Sequence, residues 1–233
     1  SKRKHNMKKG KFIVIDGVDG SGKATQTALL AENLSKQGVK VKTVHFPRYT
    51  ETLFGALIGE CLTGAHGDFL KVDPYIASVV YAAERYESAP LIRSWIKKGY
   101  TVIADRYASS NQIHQGSKIR DPKERKQFLA WLDKMEFETF RIPRPDLIIY
   151  LDMPVALAKK LLSQKGAHTK KTYLRGKKDI VEGNKKYMEE SRKSAVNLAR
   201  ENNHWVTVPC ALRGKMRSRE DIQKAVLESI KHV

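Results

Sequence analysis

An apolar run, Phe12-Ile13-Val14-Ile15, leads through Asp16 into Gly17-Val18-Asp19-Gly20-Ser21-Gly22-Lys23-Ala24. The second segment fits the pattern GxxxxGK, in which Ser or Thr usually follows the lysine; here that position is Ala24. Glycines allow the backbone to curl so that successive N–H groups face an anion, and the start of a helix adds positive potential. We therefore predict a phosphate-binding loop between a strand and a helix, with Lys23 at the β- and γ-phosphates of a nucleotide.

Further segments along the chain are short and rich in β-branched and aliphatic residues, which is typical of buried strands. The predicted strands are Phe12–Asp16, Lys40–Phe46, Thr101–Asp105, Asp146–Leu151 and His204–Val208. Stretches with helical period lie between them, at Lys23–Gln37, Ile76–Lys98, Pro122–Phe137, Val155–Leu162 with Glu182–Asn202, and Arg219–Ile230. This alternation predicts an α/β fold with a parallel sheet.

The sequence contains no internal repeat, low-complexity tract or Pro/Gly/Ser-rich linker, so we expect residues 12–233 to form a single domain. One segment differs in composition: Gln164–Lys178 is polar and cationic, contains two glycines, and lies between two helical patterns. Such a composition is typical of a mobile surface loop. We predict a lid over about residues 164–181.

Basic residues are unevenly distributed. The chain has 233 residues, with 44 Lys+Arg against 25 Asp+Glu and a formal net charge of +19. Residues 1–11 contain six Lys or Arg and no acid, and residues 159–186 contain ten beside Asp179 and Glu182. We expect residues 1–11 to be a solvated basic tail, disordered or in part left over from expression cloning; a nucleic-acid-binding arm is the alternative.

Composition also bounds the class of protein. Hydrophobic residues at 41% and aromatic residues at 8% are ordinary globular values, which argues against a disordered or fibrous chain. No window approaches a membrane-spanning length, and no apolar signal segment follows the basic start, so we expect neither a membrane protein nor a secreted one. Cys61 and Cys210 lie outside any CxxC pattern, which predicts free thiols in a reducing cytoplasm.

Charged side chains follow the predicted strands at their carboxyl ends. Arg48 comes after the second strand, and Asp105-Arg106 close the third. Ligands of open α/β sheets bind outside these ends, where the phosphate loop also lies. A guanidinium fork suits bidentate binding of phosphate, and a carboxylate at a strand end suits a magnesium-bound water. The sequence therefore predicts a phosphorylated acceptor and Mg²⁺ beside the bound nucleotide.

Several ordered motifs resemble those of the thymidylate kinases, over nearly the whole chain from Phe12 to Ile230. They are Gly17–Gln26, Phe46–Tyr49, Tyr81–Arg85, Asp105–Ser110 with Gln115-Gly116, Pro145–Pro154, and Asp179 with Glu182 after the basic segment. The resemblance implies a P-loop NTP hydrolase-like kinase fold: a five-stranded parallel sheet with helices on both faces and a lid. It also implies a homodimer that uses Mg²⁺ and transfers the γ-phosphoryl group of ATP to dTMP, giving dTDP in dTTP biosynthesis.

On the donor side, the resemblance places Lys23 on the phosphates of ATP and Asp19 near the metal or the deoxyribose 3′-hydroxyl. Asp19 and Asp105 are the candidate metal residues, and Lys23, Asp105, Arg106 and Arg175 the candidate catalytic ones. The expected ATP-binding residues are Gly17, Asp19, Gly20, Ser21, Gly22, Lys23, Ala24 and Thr25.

On the acceptor side, the resemblance places Tyr81 flat on the thymine ring, Arg85 at the base O4 and Asn111 at the N3 edge. Arg48 and Arg106 would hold the acceptor phosphate. The full expected set for dTMP is Asp19, Phe46, Arg48, Tyr49, Tyr81, Arg85, Arg106, Ser110, Asn111, His114 and Gln115.

Three positions depart from the family pattern. Ala24 lacks the hydroxyl that commonly ligates magnesium, and His114 stands where the family usually has Tyr near the sugar. Gly20 occupies a position where one subgroup carries a phosphate-loop arginine. The last departure directs attention to the lid as the source of a catalytic cation.

Two other functions are open from the sequence. The fold and the phosphate loop also serve kinases of other nucleoside monophosphates and of deoxynucleosides. Arg48, Arg85 and Arg106 favour a phosphorylated acceptor, and Tyr81 with Asn111 favours a pyrimidine. A nucleic-acid binder is the third candidate, but it predicts basic residues interleaved with stacking aromatics, and residues 159–186 contain few aromatics.

Arg175 is the lid residue that we expect to stabilise the transferred phosphoryl group, because Gly20 leaves the loop with Lys23 and no arginine. An arginine supplied by a closing segment contributes ~10³–10⁵ in kcat. Arg175→Ala should therefore lower kcat by about two orders of magnitude or more and leave the KM for dTMP within severalfold, in steady-state assays. A near-normal kcat would exclude this role and point to Lys170 and Lys171.

Overall fold

The computed structural model describes residues 9–165 and 184–231. Its centre is a five-stranded sheet in the order β2-β3-β1-β4-β5, in which every pairing is parallel. The strands are β1 (Phe12–Gly17), β2 (Val41–His45), β3 (Thr101–Asp105), β4 (Leu147–Asp152) and β5 (Trp205–Pro209). All five predicted strands are confirmed to within one residue at each end.

Helices connect the strands. They are α1 (Lys23–Lys36), α2 (Leu53–Leu62), α3 (Pro74–Lys97), α4 (Ala108–Ser110), α5 (Pro122–Asp133), α6 (Val155–Lys165), α7 (Lys185–Glu201) and α8 (Arg219–Ser229). Helix α4 continues into a π-helical turn, Asn111–Gln115, and α5 into a second, Lys134–Thr139. The predicted helix Pro122–Phe137 is thus α5 with most of its π-helical extension.

Alternate side chains of each strand point to opposite faces, and both faces are covered. One core joins Val14, Ala104 and Tyr150 to residues of α3 and α7. The other joins Ile15, Ile103 and Ile149 to residues of α1 and α8. Because both faces of the sheet are covered at its centre, β1, β3 and β4 are nearly continuous hydrophobic runs, whereas the edge strand β2 is partly polar. The predicted α/β class with helices on both faces is confirmed.

Helix α2, the short helix α4 with its π-helical turn, and a hairpin after β5 were missing from the sequence prediction. Helix α2 is apolar except for Glu60 and contains two glycines, and the sequence pattern did not indicate it. A hairpin of two-residue strands, β6 (Ala211–Leu212) and β7 (Lys215–Met216), follows β5 and turns through Arg213 and Gly214, both at positive φ. Strands this short leave no alternation that a sequence pattern can detect.

The described residues include the end of the predicted tail and the start of the predicted lid. Within the predicted tail, Gly10 is buried and its N–H donates to the Ile96 carbonyl at 3.0 Å, while the Lys11 carbonyl accepts from Val102 N–H at 2.8 Å. Most of the predicted lid, with Arg175, Asp179 and Glu182, lies outside the described residues. Cys61 and Cys210 are buried and free, as predicted. Among the described helices, none is long and apolar enough to cross a membrane.

Candidate active site

The phosphate loop joins β1 to α1, as predicted. Gly20 and Gly22 adopt φ of 84° and 92°, in the left-handed region that glycine enters without strain. The Lys23 ammonium donates to the carbonyls of Gly17 and Val18, both at 3.0 Å, and lies 3.5 Å from Asp19 Oδ1. Burial, and then the Arg106 charge, lower the pKa of Lys23. The Lys23 ammonium thus donates to carbonyls of its own loop, and anionic phosphates can replace these carbonyls as acceptors.

Gly20 is required by the packing of the loop. A Cβ atom at this position would lie 2.3 Å from the carbonyl oxygen of Ala158, in α6. A side chain here would push the loop and α6 apart, in addition to the cost of its positive φ. The close approach therefore explains why this chain has no arginine in its phosphate loop.

Asp16, the residue before the loop, is a site residue that the sequence prediction missed. Its carboxylate is fully buried and accepts from Gly17 N–H at 2.8 Å, Ser109 Oγ at 2.7 Å and Ser110 Oγ at 2.8 Å. It therefore ties the start of the loop to α4. The sequence feature that could have indicated Asp16 is its position, since it is a charged residue at the end of an otherwise apolar buried strand.

Arg106 holds the centre of the site in a strained backbone conformation. Its φ is 66°, and its N–H donates to the Ile15 carbonyl at 2.9 Å. Its guanidinium bonds Asp19 Oδ1 at 2.5 Å and His114 Nε2 at 3.1 Å. Burial alone would lower the pKa of Arg106, but Asp19, Asp16 and Asp105 together raise it, so the group stays cationic. A non-glycine residue in the left-handed region is typical of functional sites.

His114 has a defined tautomer. Arginine can only donate, so Nε2 of His114 must accept from Arg106. Nδ1 then carries the proton and donates to Ser191 Oγ at 3.1 Å. The ring also stacks on Tyr187, with centroids 5.8 Å apart. Burial and the Arg106 charge lower the pKa of His114 to about 4.

A cavity of about 370 Å³ begins at the phosphate loop and extends to α3, a size typical of small-ligand sites. The donor-side residues at its wall are Asp19, Gly20, Gly22, Lys23 and Ala24, whereas Gly17, Ser21 and Thr25 are not part of the wall. The wall contains every expected dTMP residue except Arg48, namely Asp19, Phe46, Tyr49, Tyr81, Arg85, Arg106, Ser110, Asn111, His114 and Gln115.

Arg48 lies beside the cavity. Its guanidinium forms an ion pair with Glu51 and donates to Ser88 Oγ at 3.2 Å. It follows a cis peptide bond between Phe46 and Pro47, and its N–H donates to Glu84 Oε1 at 3.3 Å. Burial raises the pKa of Glu84 to about 7, against the opposing charge of Arg85.

The far end of the cavity contains Tyr81, next to Phe69 at 5.8 Å between ring centroids. Arg85 is buried and bonds both carboxylate oxygens of Glu136, at 2.8 Å and 2.5 Å. Asn111 Nδ2 donates to Glu136 Oε1 at 2.9 Å. The structure therefore brings the three predicted base-binding residues together and adds Glu136, which no motif indicated.

The candidate metal residues, Asp19 and Asp105, both face the cavity next to Lys23. Burial raises the pKa of Asp105, while Lys23 and Arg106 oppose this effect. Within residues 9–165 and 184–231, no group of three or more His, Cys, Asp or Glu side chains is arranged to hold a metal. Two carboxylates and an open mouth fit Mg²⁺ that is carried mainly by nucleotide phosphates and keeps several waters.

Comparison with known proteins gives one consistent result. The thymidylate kinase family model matches residues 15–222. A probable thymidylate kinase from Thermococcus onnurineus is 37% identical over 163 residues, which cover 68% of this chain and 74% of that protein. Thymidylate kinase from Mycobacterium tuberculosis is 32% identical over 147 residues, 63% of this chain and 68% of its own. A thymidylate kinase structure from Candida albicans has a TM-score of 0.71 at 22% identity and covers 96% of this chain and 92% of its own, which shows the shared fold.

The His114 environment predicts a neutral imidazole at physiological pH. Its pKa of about 4 lies below the ordinary 6.5, so the folded state disfavours the proton and loses stability as pH falls from 6.5 towards 4. ¹⁵N-edited NMR of the histidine side chains should show one ring protonated at Nδ1 that does not titrate above pH 5. Replacing His114 with Gln should remove that signal; a signal that this replacement removes and that titrates near 6.5 in the native protein would contradict the assignment.

Proposed function

Since the chain belongs to the thymidylate kinase family, we propose that its cavity residues take the roles that transfer between two nucleotides requires. The protein transfers a phosphoryl group from ATP to dTMP and yields dTDP. One observation carries the assignment of roles. A single cavity runs from the phosphate loop to Tyr81, Arg85 and Asn111, with the Lys23 and Arg106 cations on its wall.

The phosphate loop binds the donor. Its N–H groups and the start of α1 attract the phosphates of ATP, and Lys23 exchanges the carbonyls of Gly17 and Val18 for phosphate oxygens. Gly20 keeps the loop against α6, which fixes the direction of the bound phosphates. We assign Ser21, Thr25 and Gly17 to shaping this loop, because they lie outside the cavity wall.

The acceptor needs no general base. The phosphate of dTMP is already anionic, so one of its oxygens attacks the γ-phosphorus while the bond from that phosphorus to the bridging oxygen of ADP breaks. Positioning and charge neutralisation dominate such a reaction. We assign Arg106 to the acceptor phosphate and the moving group, because it is a partly buried cation on the cavity wall, where Lys23 also lies. Asp19, its present partner, then turns to the 3′-hydroxyl or the metal.

Arg48 is proposed to reach the acceptor phosphate by leaving Glu51. Its ion pair with Glu51 lies at the surface, where Glu51 is 47% exposed, and pairs of this kind contribute little free energy. A dianionic phosphate offers a stronger bidentate partner. The backbone of Arg48 stays in place because Glu84 accepts its N–H.

We propose that Mg²⁺ accompanies ATP. Asp105 and Asp19 would hold it through waters, and the ion would neutralise charge on the phosphates when bound. Ala24 supplies no hydroxyl, and the two carboxylates facing the cavity are the alternative oxygen donors. We further propose that residues 12–233 act as one domain and that a lid over about residues 164–181 supplies Arg175. We also propose that the protein acts in the cytoplasm, a reducing compartment that suits its two free thiols.

A homodimer through α2 and α3 is also proposed. Ile76, Val79 and Tyr86 follow one another at three and seven residues along α3 and are 61%, 39% and 55% exposed. Leu53 and Phe54, at the start of α2, are 75% and 36% exposed. Exposed apolar side chains at helical spacing are typical of a helix-packing interface, and scattered surface residues are not arranged in this way.

Coupled ADP-release assays across dTMP, dUMP, dCMP, dGMP, dAMP and thymidine test the proposed acceptor. A cytosine would present its amino donor to Arg85, and an unpaired buried donor costs about 1–3 kcal/mol. We expect kcat/KM for dTMP to exceed that for dCMP at least about tenfold, with activity lost when EDTA removes magnesium. Equal use of dCMP, or a preference for thymidine, would contradict the proposal.

Val79→Glu tests the dimer. A charge at the centre of a buried apolar stripe lacks a partner, so the variant should sediment as a monomer where the native protein sediments as a dimer. Leu212→Glu is the matched control, because Leu212 is 60% exposed on the hairpin, away from α3. It should sediment like the native protein, and a native monomer would contradict the proposed assembly.

A further inference from the structure

Glu136 connects two residues of the base end without facing the cavity itself. It lies in the π-helical turn Lys134–Thr139 and is 1% exposed. Its Oε2 accepts from Arg85 Nε at 2.8 Å. Its Oε1 accepts from Arg85 Nη2 at 2.5 Å and from Asn111 Nδ2 at 2.9 Å. One carboxylate therefore receives three hydrogen bonds from two side chains on different elements.

These bonds determine which way the Asn111 amide faces. One Nδ2 hydrogen goes to Glu136 and the other to the Ser78 carbonyl at 3.1 Å, so both amide hydrogens are used. A flipped amide would place its oxygen against a carboxylate and a carbonyl, which is two repulsive contacts between acceptors. The group that Asn111 offers to the cavity is consequently its carbonyl oxygen, an acceptor.

The same carboxylate determines what Arg85 offers. Nε and one Nη2 hydrogen are directed to Glu136, which leaves the second Nη2 hydrogen and the two Nη1 hydrogens as the remaining donors of Arg85. The base end thus presents one donor side chain, Arg85, and one acceptor, the carbonyl oxygen of Asn111. A 4-keto pyrimidine carries the complementary pair, an acceptor at O4 and a donor at N3–H, whereas neutral cytosine carries the reverse pair.

We propose that Glu136 is a positioning residue that makes the site specific for 4-keto pyrimidine nucleotides, through its simultaneous hold on Arg85 and Asn111. The inference rests on the proposed function, since it names what selects the base of the acceptor. Desolvation makes a buried ion pair expensive compared with an apolar pair of similar size. The ionic pair of Arg85 and Glu136 is explained if Glu136 serves to orient both Arg85 and Asn111 toward the base.

Glu136→Gln tests the role with the least change in shape. An amide has one acceptor oxygen and one NH₂ donor group, so it cannot accept the two bonds from Arg85 and the bond from Asn111 together, and its own hydrogens can bond Asn111 Oδ1. The Asn111 amide is then free to turn its hydrogens to the cavity. In assays with dTMP, dUMP and dCMP, the ratio of kcat/KM for dTMP to that for dCMP should fall at least about tenfold.

Two features of the result separate positioning from general damage. The loss should affect dTMP and dUMP alike, because both carry O4 and N3–H, and should raise KM more than it lowers kcat. Glu138→Gln is the matched control, since Glu138 lies in the same turn but is exposed. It should keep the native ratio. A folded Glu136→Gln protein whose ratio stays within about twofold of the native one would overturn the proposal.

Thermal melting shows whether Glu136→Gln is folded. If it is not, Glu136→Asp decides, because it keeps the charge but is one methylene too short to hold both partners. We expect its KM for dTMP to rise about fivefold or more with kcat within about threefold; an unchanged KM would overturn the proposal. A native protein that fails to use dTMP contradicts the proposed function and this inference together. A native protein that prefers dTMP, with a Glu136→Gln variant that does so equally, contradicts the inference alone.

Discussion

The buried carboxylate of Asp16 is the constraint on which the site depends. It stands at the end of the central strand, bonds the first N–H of the phosphate loop, and holds two serines of α4. The π-helical turn that follows α4 carries Asn111, His114 and Gln115, so the same carboxylate relates the donor end of the cavity to the acceptor end. Because β1 and β3 are neighbours in the parallel sheet, the phosphate loop after β1 and helix α4 after β3 begin side by side. Asp16 links the two segments by hydrogen bonds.

Charge balance then explains the contacts that Lys23 and Arg106 make. Lys23 and Arg106 face Asp16, Asp19 and Asp105 in a region largely removed from water. An unpaired charge there would cost free energy, so Lys23 donates to loop carbonyls and Arg106 pairs with the Asp19 carboxylate. Phosphates bring their own negative charge and replace these partners without leaving a cation exposed to an apolar wall. The carboxylates therefore hold Lys23 and Arg106 in their charged forms at the position where phosphates would bind.

The sequence predicts those parts of this arrangement that depend on neighbours along the chain. The phosphate loop, the five strands and the polar residues at strand ends follow from local pattern, and the parallel topology brings them together. Glu136 lies 51 positions from Arg85, and no local pattern indicates that pairing. Arg48 shows the same limit, because its contacts with Glu84 and Ser88 depend on how the segment after β2 packs on α3. Helix α2 was missed because a single charged residue, Glu60, marks its exposed face, and Leu53 and Phe54 are apolar although exposed.

The two ends of the cavity differ in whether a bound nucleotide would have to replace the hydrogen bonds that their side chains already make. At the phosphate end, Arg48 bonds an exposed carboxylate and Lys23 bonds backbone carbonyls, and both partners are weaker than a phosphate dianion. At the base end, Arg85, Asn111 and Glu136 are each no more than 2% exposed, and their hydrogen bonds form a closed set that a base does not have to break. A preorganised group discriminates at full strength, because binding costs no rearrangement that a wrong base would also need. The fold thus places rigidity where the base is read and exchangeable charge where the phosphoryl group moves.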